Sequence, residues 1–338
     1  MVFFVAGWTE NQAHPVCFCS YSTNLYSFAL SMICFMKRIF LASLTVLLLM
    51  PMAKAQNPSE GGVSPLFAPK FKAELPEEVK ETSGLFFHNG RLWTHNDSGG
   101  KPILYGIDIV DFKVVQKITL ANAENKDWED VCTDGVSVFV ADCGNNKGNR
   151  KDLKIHVFPL SAIPAEGDAT VKVETISFSL GDQADFKKRK VHDFDCEAVF
   201  ATERYLYLLS KGWETGTTRL YRLPKTPGKH VAEVVNGFDS QGLVTGADYD
   251  PHSGTLVVVG YVKSLWKPFL YLIFDFDDAG VKLPHHRFEM PSLLGCQTEG
   301  VCYIGNGKCY VSAETSKAFS ARVFELDFGK WIKKSDSK

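Results

Sequence analysis

A short phrase recurs five times along this chain, and a hydroxyl or carboxylate residue holds the same place in every copy. The copies are Ser83-Gly84-Leu85-Phe86-Phe87, Glu129-Asp130-Val131-Cys132, Glu197-Ala198-Val199-Phe200, Thr245-Gly246-Ala247-Asp248-Tyr249 and Glu299-Gly300-Val301-Cys302-Tyr303. After a polar turn each leads into a strongly apolar strand, at 91–97, 136–142, 205–211, 255–261 and 308–314. Such a repeat calls for stacked like units, none of which buries its apolar face alone. From Phe71 onward the chain alternates strand patterns with turns and has almost no helical periodicity. Four units supply four short strands each and the last supplies three, while Phe71–Leu75, ahead of the first, can complete it.

That count predicts an all-β, five-bladed β-propeller closed by its N-terminal strand. Closure also removes the bare sheet edge that an open ring would present. The column residues are spaced 46, 68, 48 and 54 apart. The longest interval holds the charged loop Gly181–Asp195, which leaves six blades as an alternative and predicts a mobile segment there.

Met36-Lys37-Arg38, the apolar run Ile39–Met52 and the small-residue end Ala53-Lys54-Ala55 have the pattern of a signal peptide cleaved before Gln56. Residues 1–55 therefore read as an upstream extension plus signal peptide with Met36 the true start. Residues 56–70 read as a linker, 71–331 as a single propeller domain and 332–338 as a basic tail. Pro51 breaks the apolar run, which argues against stable membrane insertion. The protein is expected to be exported, to the periplasm or the extracellular space, and monomeric. Removing the prepeptide takes three basic residues and one acidic one from the total, leaving 34 Lys+Arg against 38 Asp+Glu. Nothing in that balance favours nucleic acid. Six of the nine cysteines remain, and Cys302 and Cys309 flank the turn IGNGK, so they could face one another across a hairpin. No Cys/His cluster has zinc spacing.

Strands within a blade run antiparallel, so the start of each innermost strand shares a face with the loop between the second and third strands. Ser83, Glu129, Glu197, Thr245 and Glu299 then converge on the axis near that face. Three carboxylates so close repel and lose hydration unless a positive charge sits among them. A hard cation with oxygen ligands, Ca²⁺ by type, suits this metal set. The plainer role for such residues is to cap turns and bond neighbouring backbone around the tunnel. The loops of the same face bring Asn96, Asp97, Asn145, Asn146, Arg150, Lys211, Arg219, Lys263 and Lys317 to the mouth. Of these, Asn96, Asn146, Arg150, Lys211 and Arg219 are candidates for binding an anionic substrate.

The column, the opening ETSGLFFHNGRLWTHNDSGG and the phrases DWED, DCEA and TEGVCY resemble the calcium-activated nucleotidases (apyrases). The resemblance implies a five-bladed propeller with a central Ca²⁺ over which nucleoside di- and triphosphates are hydrolysed. It implies Ser83, Glu129, Glu197 and Glu299 as metal ligands, with Thr245 where the family has serine. The chain departs from the family at Ser98, where the family carries arginine. It is also similar to exported propellers of Bacteroidetes-type bacteria, which share NDSGG, DWED and GNNKGNRKDLKI.

Two functions follow. One is a Ca-dependent hydrolase of phosphate or other esters, with Asp97, Glu129 or Glu197 as the base. The other is a non-catalytic module that holds a glycan, peptide or envelope protein, with Trp213 and Trp266 on the rim for stacking.

Overall fold

The computed structural model describes residues 65–278, 283 and 285–332. The expected signal peptide, residues 56–64 of the linker and residues 333–338 of the tail lie outside the described residues. All that follows concerns the unit Pro58–Lys338.

The strands are β1 (Lys70–Glu74), β2 (Thr82–His88), β3 (Arg91–Asn96), β4 (Ile103–Asp108), β5 (Val114–Leu120), β6 (Trp128–Thr133) and β7 (Ser137–Asp142). They continue as β8 (Leu153–Pro159), β9 (Ala169–Val171), β10 (Glu174–Leu180), β11 (Asp195–Ala201), β12 (Tyr205–Lys211), β13 (Thr217–Pro224) and β14 (Gly228–Asp239). The last are β15 (Leu243–Asp250), β16 (Thr255–Val262), β17 (Lys267–Ile273), β18 (His285–Glu289), β19 (Gln297–Gly305), β20 (Lys308–Glu314) and β21 (Arg322–Asp327). Three short 3₁₀ turns are the only helical segments among the described residues. None is long and apolar enough to cross a membrane.

The strand orders are β2-β3-β4-β5-β9, β15-β16-β17-β18 and β1-β21-β20-β19, with an eight-stranded sheet β11-β12-β13-β14-β10-β8-β7-β6. The eight-stranded sheet is two antiparallel runs joined edge to edge, where β10 and β14 pair in parallel from Ile176↔Gly228 to Leu180↔Ala232. The first strands of the runs, β2, β6, β11, β15 and β19, pack in a ring in which β19 meets β2 again. This is an all-β propeller. Strand β1 completes the sheet of β19–β21, pairing Lys70↔Glu325 through Glu74↔Arg322, as closure demands.

Each run buries its faces against its neighbours, so the apolar core is divided into clusters. Phe86, Trp93, Trp128 and Phe158 fill one between the first and second runs. Phe200, Tyr207, Phe269 and Tyr271 fill another, where Phe200 and Tyr207 stack at 5.1 Å. Strand β11, walled on both sides, is buried at every position.

Three expectations change. The end of the supposed linker is packed: Phe67 is buried against Phe288 and Trp331, and its amide bonds the Glu289 carbonyl. The loop 181–194 carries no strand, yet it folds down with Gln183, His192 and Asp193 buried. Its polar residues capture turn amides, as when Asp193 accepts from Glu214 and Thr215. Cys302 and Cys309 do not face one another. Cys302 pairs with Tyr310 and Cys309 with Tyr303, so alternation puts their side chains on opposite faces of the hairpin. They fall in different core clusters, and both are free.

Candidate functional site

Every column residue sits at a bulge. The β2–β3 ladder skips between Thr82 and Leu85, β6–β7 between Trp128 and Asp130, and β11–β12 between Cys196 and Ala198. The β15–β16 and β19–β20 ladders skip between Val244 and Gly246 and between Thr298 and Val301. A bulge leaves one residue unpaired and turns its side chain out of the pleat, and here that residue is Ser83, Glu129, Glu197, Thr245 or Glu299. At Gly84, Gly246 and Gly300 the next residue lies against the neighbouring run's backbone and must be small. A Cβ on Gly300 would come 2.2 Å from the Ser83 carbonyl, and one on Gly246 would come 2.2 Å from that of Glu299.

Two column hydroxyls are engaged in the ring itself. Ser83 donates to the Glu129 carbonyl, and Thr245 donates to the Thr298 carbonyl at 2.7 Å. Buried carboxylates do the same work at other seams: Asp130 accepts from the Val199 amide at 2.8 Å and Asp248 from the Tyr303 amide at 2.7 Å.

A cavity of about 260 Å³ opens at the column end of the ring. Ser83, Glu129, Glu197 and Glu299 line it from the column. Asp97, Asn146, Trp213, Lys263 and Trp266 line it from the loops between second and third strands, and Lys211, Tyr261 and Glu314 from the ends of second strands. Thr245 is not on its wall. Asn96 lies outside as well, accepting from the Glu81 amide and donating to the Glu78 carbonyl.

One corner is acidic and unsatisfied. Asp97, Asp127 and Glu129 each offer an oxygen, and these lie within 4.8 Å of one another. Asp97 Oδ1 and Glu129 Oε1 are buried without a hydrogen-bond partner. Gly144 leaves the space beside Glu129 and Asp127 open, since a Cβ there would fall 1.9 Å from Glu129 Oε1 and 2.5 Å from Asp127 Oδ2. A hard cation bound at about 2.4 Å from each ligand fits three oxygens so spaced. The donor set therefore suits a divalent ion.

Asp127 was missed in the sequence, although it opens the DWED phrase two residues before Glu129. Arg150 supports this corner from behind. Its guanidinium donates to Asp142 at 2.8 Å and to the Gly144 carbonyl at 2.8 Å, while Asp142 accepts the Asp127 amide at 3.2 Å. Arg150 thus braces the loop and is not on the cavity wall. Arg219 is likewise drawn away, to the Asp193 carbonyl and Asp182. Asn145 is buried and bonds Asp195 and the Phe194 carbonyl, and Lys317 points to solvent.

Lys211 stands in the cavity wall, not on the rim. Its Nζ is 2.9 Å from Glu197 Oε2, and both side chains are nearly inaccessible. Burial would lower this ammonium, but Glu197, with Tyr261, Glu299 and Glu129, holds it well above the usual lysine range. Exposed Lys263 rests over the Trp213 ring at 4.3 Å.

The remaining carboxylates are held towards their neutral forms. Burial, then Asp127 and Glu299, pushes Asp97 to about 7. Burial pushes Glu299 to about 7 against the pull of Lys211. Burial and then Asp97 push Glu314 to about 7. Burial followed by Glu197, Asp97 and Asp127 raises Glu129 well above the ordinary range.

No protein-family model matches the chain, and no curated protein matches it. Solved structures similar to it include a chain of a nidogen/laminin complex, at 14% identity over 79% of this chain and 94% of that one, with a TM-score of 0.40. Others are the WD40 domain of Toxoplasma gondii coronin (11%, 78% and 77%, 0.36) and the WD40 β-propeller domain of Doa1 (11%, 79% and 100%, 0.38). Likenesses at this level say nothing of binding or catalysis.

Proposed function

We propose that this protein is an exported, calcium-dependent hydrolase of phosphate or other esters, acting on a small anionic ligand in the axial cavity. The observation that carries the reading is the pair of buried, unpartnered oxygens, Asp97 Oδ1 and Glu129 Oε1, in a corner that Asp127 completes. An oxygen left so costs free energy on the order of 1–3 kcal/mol or more, which a hard cation would recover. Asp97, Asp127 and Glu129 would hold the ion, with Ser83 beside them on the wall. A bound cation supplies Lewis-acid polarisation of the scissile group and lowers the pKa of an attacking water.

The chain's own groups divide the rest of the work. Glu299 and Glu314, raised to about 7, are poised to take a proton from water near neutral pH. Lys263, exposed on the cavity wall over Trp213, would meet the ligand's negative charge. Glu197 is committed to Lys211 and is the weaker choice for a base. The test is turnover of nucleotides, sugar phosphates and lactones with calcium and with chelator. Calcium-dependent turnover that disappears in Glu129→Gln supports the reading, and equal rates in the two proteins would sink it.

One observation favours a second reading, a binding module for a glycan. Trp266 adopts a left-handed backbone conformation (φ 45°) and stacks on Tyr261 at 5.5 Å and 11°, presenting an ordered ring on the cavity wall near Trp213. Retention on a glycan array without turnover, lost in Trp266→Ala, would favour it over hydrolysis.

A further inference from the structure

Strand β12 runs YLYLLSK and ends in a lysine that is 6% exposed. Lysine at a strand end ordinarily reaches water through its flexible stem. This one turns to the axis. Lys211 pairs across its ladder with Asp195, two residues before the column. The partners at that same place in other runs are Tyr261, opposite Leu243, and Glu314, opposite Gln297. Asp97, whose amide bonds the Glu81 carbonyl, holds it in the first run. All four line the cavity, and Lys211 alone of them carries a positive charge.

The ammonium has the surroundings of a bound ion. Glu197 Oε2 holds it at 2.9 Å, and the faces of Trp213 and Tyr261 lie 5.2 and 5.7 Å away. Glu299 and Glu129 line the same cavity, and Gln297 fixes the Glu299 carboxylate at 2.7 Å. The acidic corner of Asp97, Asp127 and Glu129 is the complementary half, with Glu129 Oε1 lacking any partner.

We propose that the cavity contains two cation positions, one filled by the chain's own Lys211 ammonium against Glu197 and the other left for an inorganic ion at Asp97, Asp127 and Glu129. The inference rests on the calcium reading above and adds to it. Lys211 is a positioning residue that fixes the number of ions at one. It satisfies Glu197 without metal, so only the acidic corner responds to calcium. Replacing it should free the Glu197–Glu299 side for a second ion, because a buried carboxylate that loses its counter-charge must either take up a proton or gain another cation, and calcium at saturating concentration offers the cation.

Equilibrium dialysis with calcium alone tests this. The wild-type protein should bind one ion per chain, Lys211→Gln two, and the double variant Lys211→Gln/Glu197→Gln one again. Lys211→Gln that folds only when calcium is present also supports the proposal, since the ion then replaces the ammonium. One ion in both wild type and Lys211→Gln overturns it while leaving the calcium site intact. No ion in the wild type removes the calcium reading and this inference together. Lys211→Gln that stays unfolded at millimolar calcium overturns it as well, whatever the double variant does, because the ammonium is then irreplaceable by an ion.

Discussion

Glu129 answers to three constraints at once: a bulge aims it, Gly144 makes room for it, and burial discourages its charge. Gly144→Ala should therefore leave the fold standing, since Glu129 can swing aside, but it should weaken calcium binding at least about tenfold, measured by calorimetry. The titrating neighbours give a pH dependence. Asp97, Glu299 and Glu314 rise from ordinary values of 3.8 and 4.5 to about 7. An acid raised in the folded state binds more protons folded than unfolded. Its stabilising contribution is full below the unfolded value and is lost as pH climbs through the folded one. The chelated protein should accordingly melt at a lower temperature at about pH 8 than at about pH 5, and calcium should restore the loss only at the higher pH. Melting curves across that range check the sign; a chelated protein that gains stability towards pH 8 would contradict it. Little of this was visible in the sequence. The column residues were legible because a repeat marks them, whereas Asp127 stands outside the repeat. Nothing about Lys211 distinguishes a rim lysine from a buried one until the ladder shows which way its strand ends.

The elements explain why the column works. Five bulges at like positions turn a strand pattern of period two into a ring of inward side chains. A bulge adds a residue without breaking the apolar alternation that follows, so the phrase is readable as a repeat but not as a kink. The tight seam after it is a second demand. Gly300→Ala would press a Cβ against backbone, where nothing can give cheaply. We expect a loss of about 3 kcal/mol, or roughly 6–12 °C in Tm for a domain this size, by calorimetry. Strand β1 makes a different contribution. Its residues are mostly exposed, so it adds little core, but it covers the edge of β21. A chain starting at Leu75, compared with one starting at Ala68, should melt only a few degrees lower yet associate far more readily, as light scattering will show.

Across the whole molecule, the propeller was legible because the apolar strands, turns and missing last strand all pointed the same way. The hairpin cysteines misled because proximity in sequence says nothing about which face a residue takes. All six cysteines of the described residues are free and buried. Reductant should leave the melting temperature unchanged, and these thiols should react with a thiol reagent only after unfolding. Rapid labelling of any of them in the native protein would show that the runs separate more easily than their packing implies.

The parallel pairing of β10 with β14 adds a kinetic consequence. The runs β6-β7-β8-β10 and β11–β14 are tied at the rim by main-chain bonds as well as packed at the axis. Peripheral strands of a ring usually fray first, exchanging their amide hydrogens through small local openings. Here the outermost strands of two runs protect one another, so their amides should exchange with deuterium as slowly as central ones. That pair of runs would open as a single cooperative block, making it the last part of the ring to yield.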